Sequence, residues 1–78
     1  MRANEQELNR KIGANLRRCR KQKNVTQAYL AEQAALLGLE YITRDRVSKL
    51  ESGLVRLSAV ELVIFSKTLG VSLSEIMN

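Results

Sequence analysis

Residues 26–53 read TQAYLAEQAALLGLEYITRDRVSKLESG, and this stretch decides the fold because it contains two short helices with their own start and stop signals. Thr26 and Thr43 each have the hydroxyl that caps the first backbone N–H groups of a helix. Gly38 and Gly53 follow at the distances where each helix is expected to end. The stretch therefore predicts two consecutive helices joined by a connection that begins at Gly38.

The apolar residues of both helices recur at helical spacing. The first helix is expected to span Gln27 to Leu37 and the second Arg44 to about Ser52. Because Ala31 has a small side chain, the helices can pack closely at a steep angle, which leaves the N-terminal half of the second one facing outward. The residues expected to face the core are Leu30, Ala34, Leu37, Val47 and Leu50.

A longer helix is indicated before this pair. Asn4 can cap it, with Glu7 at the third helical position, and it is expected to end near Lys23 at Asn24, a residue type that tolerates the left-handed conformation. Four apolar residues fall within one narrow arc of this helix and predict its core face. They are Leu8, Ile12, Leu16 and Cys19.

Two capping boxes mark a fourth and a fifth helix after the pair. Ser58 is followed three residues later by Glu61, and Ser72 by Glu75, with Gly70 between the two helices. The residues expected to complete the core there are Leu62, Phe65, Leu69, Val71, Leu73 and Ile76. The sequence thus predicts an all-α fold of five helices, organised as one domain over residues 1–78.

The composition argues against several classes of protein. The 78 residues include one cysteine, Cys19, and no histidine, so a disulfide within the chain is impossible and a zinc site is not expected. We expect a reduced, cytoplasmic protein without a cofactor, because the N-terminus lacks the apolar run of a signal peptide and no stretch is long enough to cross a membrane. With neither paired carboxylates nor a Gly-rich phosphate loop, an enzyme is not expected either.

Positive charge is concentrated in the first third of the chain. The net charge is +5, and no acidic residue occurs between Glu7 and Glu32. Such an excess suits a polyanion, which could be DNA, RNA or an acidic membrane surface, although a solvated basic helix has the same composition. The basic residues of this interval are Arg10, Lys11, Arg17, Arg18, Arg20, Lys21 and Lys23.

Several short segments together resemble the phage-repressor and Cro family of helix-turn-helix proteins, also called the XRE type. The resemblance covers roughly Ile12 to Ile76 and implies a DNA-binding domain whose helix-turn-helix motif lies at about 26–53. The segments that carry it are LRRCR at 16–20, VTQ at 25–27, LA at 30–31, VS at 47–48, LE at 50–51, Gly53, EL at 61–62 and LGVSL at 69–73.

The second helix of the motif has the side chains that can read base edges in the major groove. A guanidinium can contact guanine through two hydrogen bonds, and a carboxylate can accept one from the cytosine amino group. Arg44 and Asp45 provide both groups at the start of the helix, although a plain solvated helix start would look the same. Arg46, Ser48 and Lys49 are further candidates for contacts with DNA.

The resemblance also implies contacts with phosphates and one structural ion pair. Gln27 and Thr43 match positions that commonly touch phosphates in the family, and capping alone is their other reading. Arg20 and Glu51 match a pair that, in the family, usually joins the first helix of the domain to the second helix of the motif, which is called the recognition helix. We therefore expect a structural salt bridge there. Two more basic residues are expected to contact phosphates, Arg18 and Arg56.

The connection between the two motif helices is longer than usual. Such turns normally have about 3–4 residues, but Gln27 and Val47 are twenty positions apart here. We expect the first helix of the motif to be lengthened and the connection over residues 38–42 to be wide. Tyr41 and Ile42 are expected to pack under this loop. The chain thus resembles a long-turn variant of the family.

The leading functional hypothesis is a repressor of prophage or mobile-element type that binds a palindromic operator in double-stranded DNA as a homodimer. The alternative is a protein-interaction module of the same fold, such as an antitoxin or a repressor-binding adaptor. Binding to acidic membranes is disfavoured because the apolar stripe of the first helix is needed for the core. A candidate dimer patch, which could instead only complete the core, comprises Leu54, Val55, Val60, Val63, Ile64 and Met77.

Overall fold

The computed structural model describes residues 4–78 and shows five α-helices in succession. They are α1 (Glu5–Gln22), α2 (Gln27–Leu36), α3 (Arg44–Ser52), α4 (Ala59–Leu69) and α5 (Leu73–Met77). The described residues contain no β-strand, and the predicted all-helical class with five helices is confirmed. Between residues 4 and 78 no helix combines the length and the apolar character needed to cross a membrane.

Every helix begins at a polar side chain that the sequence marks as a cap. The cap oxygen accepts a hydrogen bond from the backbone N–H three residues later in all five helices. In α4 and α5 the carboxylates of Glu61 and Glu75 also accept from the N–H of the cap residue, at 2.9 Å and 2.8 Å, so both predicted capping boxes are complete. The caps are Asn4, Thr26, Thr43, Ser58 and Ser72.

Helices α1 to α4 end in the same hydrogen-bonded motif. A residue with positive φ follows each helix, and the next residue donates its N–H to the carbonyl five positions earlier. Asn24 adopts this conformation at φ 57° although it is not glycine, as the sequence predicts. The residues with positive φ are Asn24, Gly38, Gly53 and Gly70.

Helix α3 packs against two neighbouring helices. Helix α1 packs against α3 and α5, whereas α2 packs against α3 and α4. All five helices contribute to one core, and α3 contributes Val47 and Leu50, so its other face remains exposed. The remaining core residues are Leu16, Cys19, Leu30, Ala31, Ala34, Ile42, Phe65, Leu69 and Ile76.

Leu8 and Leu73, which the helical pattern places in the core, lie at the surface instead. Leu8 is exposed near the start of α1. Leu73 is exposed at the first position of α5, and Ile76 on the next turn is the α5 residue that is fully buried. Helical periodicity identified the correct face in both helices but not how far along each helix the packing extends.

The wide connection between α2 and α3 differs from expectation in two details. Helix α2 ends at Leu36, so Leu37 is its C-cap and stays 52% exposed. Leu39 is partly buried against the core, and Ile42 is buried as predicted. Tyr41 does not pack beneath the chain but is 55% exposed, and its ring lies beside the guanidinium of Arg46.

The backbones of α1 and α3 touch at Gly13. A Cβ atom at this position would lie 2.7 Å from the carbonyl oxygen of Glu51 and even closer to that of Leu50. Neither oxygen can rotate away, since both belong to the backbone of α3. The absence of a side chain at Gly13 therefore sets the distance between the two helices.

Gly13→Ala is expected to lower the free energy of unfolding by about 1–3 kcal/mol, because the helices must separate to admit the methyl group. Helix propensity alone favours alanine by about 1 kcal/mol and would give the opposite sign. Urea denaturation followed by circular dichroism measures the change. Ala14→Gly, at the exposed neighbouring position, is the control for propensity, and a more stable Gly13→Ala variant would contradict the close approach.

Candidate nucleic-acid interface

A buried network joins α1, α2 and α3 at one point. The Glu51 carboxylate accepts hydrogen bonds from Arg20 Nε at 2.6 Å and Nη2 at 3.0 Å, and from Gln27 Nε2 at 3.0 Å. Arg20 also donates through Nη1 to the carbonyl oxygen of Val25, at 2.8 Å. The expected pair of Arg20 and Glu51 is thus present, and it holds the start of α2 as well as the end of α3.

A second ion pair, which sequence reasoning missed, joins α3 to α4. Arg46 donates through Nε and Nη2 to Glu61, at 2.9 Å and 3.3 Å, and the Glu61 side chain is 0% exposed. Arg46 was predicted to contact DNA, but its guanidinium is occupied by this pair. Glu61 was predicted only as part of a capping box, and the sequence gives no local sign of a partner fifteen residues earlier.

Two opposing influences determine the charge of Glu61. Burial is the largest and raises the pKa of the carboxyl, whereas the hydrogen bonds from Arg46 and Ser58 and the attraction of the guanidinium lower it. The lowering influences prevail together, so the pKa of Glu61 lies below its ordinary value. The hydrogen bond to Glu61 raises the pKa of Arg46 in turn, and the pair is fully ionised at neutral pH.

Three adjoining shallow depressions lie between α1, the start of α2 and the exposed face of α3, and together they are called the groove. Arg17 and Arg44 are exposed on its sides, and neither forms an ion pair with any residue from 4 to 78. Helix α2 has no acidic residue of its own in its first turn, and the nearby carboxylate of Glu51 is paired with Arg20. The residues lining the groove are Arg17, Arg20, Thr26, Gln27, Ala28, Arg44, Asp45, Ser48, Glu51 and Ser52.

Arg17 is the groove residue that the sequence prediction overlooked, because Arg18 was chosen in its place. A helical signal could have found it, since Arg17 lies three residues before Arg20 and so shares the face that meets α3. Arg18 instead donates to Asn15 Oδ1 at 2.8 Å and to the carbonyl oxygen of Glu75 at 3.3 Å, beside α5. Its guanidinium therefore lies at the α1–α5 contact.

The other predicted residues of α3 and its surroundings differ in how far they are already engaged. The hydroxyl of Thr43 accepts from the N–H of Arg46 as the helix cap, at 3.2 Å. Lys49 Nζ lies 2.9 Å from Asp45 Oδ2, and Arg56 Nη1 lies 3.1 Å from Glu5 Oε1. Both of these pairs are exposed, and such pairs exchange readily with solvent or a stronger partner.

The groove offers hydrogen-bond donors and positive charge but no metal site. Among residues 4–78 no three His, Cys, Asp or Glu side chains form a group that could hold a metal ion. Cys19 is buried in the core. The arrangement of guanidinium, amide and hydroxyl groups around an exposed helix is instead suited to a phosphate backbone and base edges.

A family model described as Helix-turn-helix matches residues 16–76, which include the groove and all five helices in whole or in part. The chain belongs to this family, and its members of the XRE type are DNA-binding regulators of transcription that are not normally enzymes. The resemblance inferred from the sequence motifs is therefore confirmed, and the protein is a DNA-binding transcription regulator of the XRE type. No individually curated protein matches the chain.

Acidification is expected to remove the stabilising contribution of Glu61. Because its pKa is lower in the folded chain than in the unfolded chain, the contribution is complete above about pH 4.5, the ordinary value, and disappears as the pH falls through the lowered pKa. Glu61→Gln should lower the free energy of unfolding by about 1–3 kcal/mol at pH 7. This difference from the wild-type chain should shrink between pH 5 and pH 3.

Urea denaturation at several pH values measures this effect. Glu5→Gln is the matched control, because the Glu5 carboxylate pairs with Arg56 at the surface and should change stability little at any pH. A Glu61→Gln deficit that stays constant from pH 7 to pH 3 would contradict the assignment.

Proposed function

We propose that the protein is a repressor of prophage or mobile-element type, acting in the cytoplasm as a single domain that binds a palindromic operator as a homodimer. The observation that carries the proposal is the position of Arg44, an exposed guanidinium at the start of α3 that shares the groove with Gln27 and Arg17. A recognition helix that presents such a group outward fits the major groove of B-DNA.

Within this proposal, the start of α3 reads bases. Arg44 makes a two-bond contact with guanine, and Asp45 accepts from a cytosine amino group. Ser48 lies one turn further along the same groove. Lys49 reaches a base edge or a phosphate after leaving its exposed pair with Asp45, and that exchange makes the roles of the two residues interdependent.

Phosphate contacts flank this reading surface. Gln27 is held by Glu51 through its amide nitrogen and lines the groove, and the hydroxyl of Thr43 lies at the cap of α3. Arg17 provides the nearest unengaged positive charge on α1. Arg18 and Arg56 remain candidates for outer phosphate contacts, since both are exposed although bonded to neighbours.

The proposed dimer face uses exposed apolar residues of α4, the segment before it and the end of α5. Val60, Val63 and Met77 are exposed, and Leu54 is 77% exposed although residues at its position after a helix usually pack inward. Ile64 and Val55 are partly buried against the core beside them. A second copy would cover these side chains, and two copies read enough base pairs for useful specificity.

Selection of bound duplexes from a random pool, followed by titration of the selected duplex, tests the proposal. We expect a palindromic sequence with half-sites about 34 Å apart and saturation at two chains per duplex. Saturation at one chain would contradict the homodimer. Failure to select any sequence, with binding to another protein instead, would favour the antitoxin or adaptor alternative.

The selected duplex also separates the roles of three arginines. Arg44→Ala should cost about 1–3 kcal/mol at one base pair and relax the preference there. Arg17→Ala should weaken binding to all sequences alike. The slope of log Kd against the logarithm of the salt concentration should fall by about one, as expected for one lost phosphate contact. Competition titrations at several salt concentrations measure both.

Arg20→Ala is the matched control, because Arg20 is three residues from Arg17 on the same helix but is buried with Glu51. It should lower the thermal midpoint more than it alters base preference. An unchanged selected motif for Arg44→Ala would overturn the base-reading role.

A further inference from the structure

The long α2–α3 connection is ordered by its own contacts and does not form a loose loop. The N–H of Leu39 donates to the carbonyl of Ala34 at 3.0 Å, and the N–H of Ile42 donates to the carbonyl of Leu39 at 3.1 Å. Leu39 packs against the core and Ile42 is buried in it. Tyr41, between these two anchored residues, is held with its side chain outward.

The outward ring of Tyr41 meets the recognition helix at one side chain. The ring centroid lies 5.6 Å from Cζ of Arg46, a distance suitable for a cation–π contact. Arg46 in turn donates two hydrogen bonds to Glu61, which is buried and also caps α4. A continuous series of contacts therefore runs from the connection through α3 to α4.

The position of Arg46 in α3 gives this series a consequence for recognition. Arg46 lies two residues after Arg44 and one after Asp45, in the first turn of the helix. Its side chain is 33% exposed, so one part is available to the ring of Tyr41 while the other part meets Glu61. Fixing Arg46 at both places fixes the direction in which the start of α3 points.

We propose that Tyr41 and Arg46 are positioning residues for DNA recognition, which orient the base-reading start of α3 without touching DNA themselves. The proposal rests on the function proposed above. The long connection has a role in this proposal, because its additional residues include Tyr41. The ring of Tyr41 keeps Arg46 paired with Glu61 and away from the DNA phosphates. The orientation of α3 then depends on the ion pairs at both of its ends.

The test compares three variants on the selected duplex and on an unrelated duplex. Tyr41→Ala should lower the ratio of specific to non-specific affinity about two- to fivefold, the range expected for loss of an exposed cation–π contact. The salt slope should not change, because no phosphate contact is lost. Tyr41→Phe keeps the ring and should retain the wild-type ratio, and Leu37→Ala, which removes a similarly exposed apolar side chain from the same connection, should leave it unchanged.

A second measurement reports on Arg46 without DNA. Hydrogen exchange of the Arg46 Nε–H group, followed by nuclear magnetic resonance on the free protein, should become faster in Tyr41→Ala but not in Tyr41→Phe or Leu37→Ala. All variants should melt cooperatively, which shows that the effect does not arise from unfolding.

Three outcomes would overturn the proposal. An unchanged ratio in Tyr41→Ala shows that the ring does not orient α3, and a loss in Tyr41→Phe as large as in Tyr41→Ala shows that the hydroxyl contacts DNA. A shallower salt slope in Tyr41→Ala assigns Tyr41 to the phosphate backbone. If the wild-type chain selects no duplex, the proposed function fails, and unchanged exchange at Arg46 then still refutes the positioning contact separately.

Discussion

The buried ion pair of Arg20 and Glu51 is the interaction on which the rest of the structure depends. It brings opposite charges from the first and third helices to 2.6 Å, and a third hydrogen bond brings in the start of the second helix. Two charges removed from water are costly unless each finds partners, and here the guanidinium also bonds a backbone carbonyl while the carboxylate accepts three donors. The network therefore specifies one relative arrangement of the three helices, which apolar packing alone specifies less sharply.

The pair of Arg46 and Glu61 plays the corresponding part at the other end of the recognition helix. One ion pair fixes the end of α3 to α1 and the other fixes its start to α4, so the helix is held at both ends by charges that are already paired within the protein. This division leaves Arg44 and Ser48 on the exposed face without structural duties. Charges in structural ion pairs and exposed charges can therefore be separated residue by residue along a helix of nine residues.

Local signals in the sequence predicted the helices well, because caps and stops act within a few residues. Thr26, Thr43 and Asn24 all occupy the roles that their chemistry indicates. Contacts between distant segments were predicted only where a resemblance supplied them, as for Arg20 and Glu51. The contact of Arg46 with Glu61 and the exposure of Tyr41 depend on how helices pack in three dimensions, and no local pattern carries that information.

The backbone contact at Gly13 makes α1 and α3 a single rigid body at the groove. Arg17 lies one turn after Gly13 on α1, and Ser48 lies less than one turn before Glu51, whose carbonyl meets Gly13. If Arg17 contacts a phosphate and α3 reads bases, as proposed above, the spacing between them is set before a duplex binds, which avoids the entropic cost of ordering the protein on binding. Because this spacing cannot adjust, a duplex whose backbone lies elsewhere must deform to fit, and sequences that bend easily are favoured even at base pairs that no side chain touches.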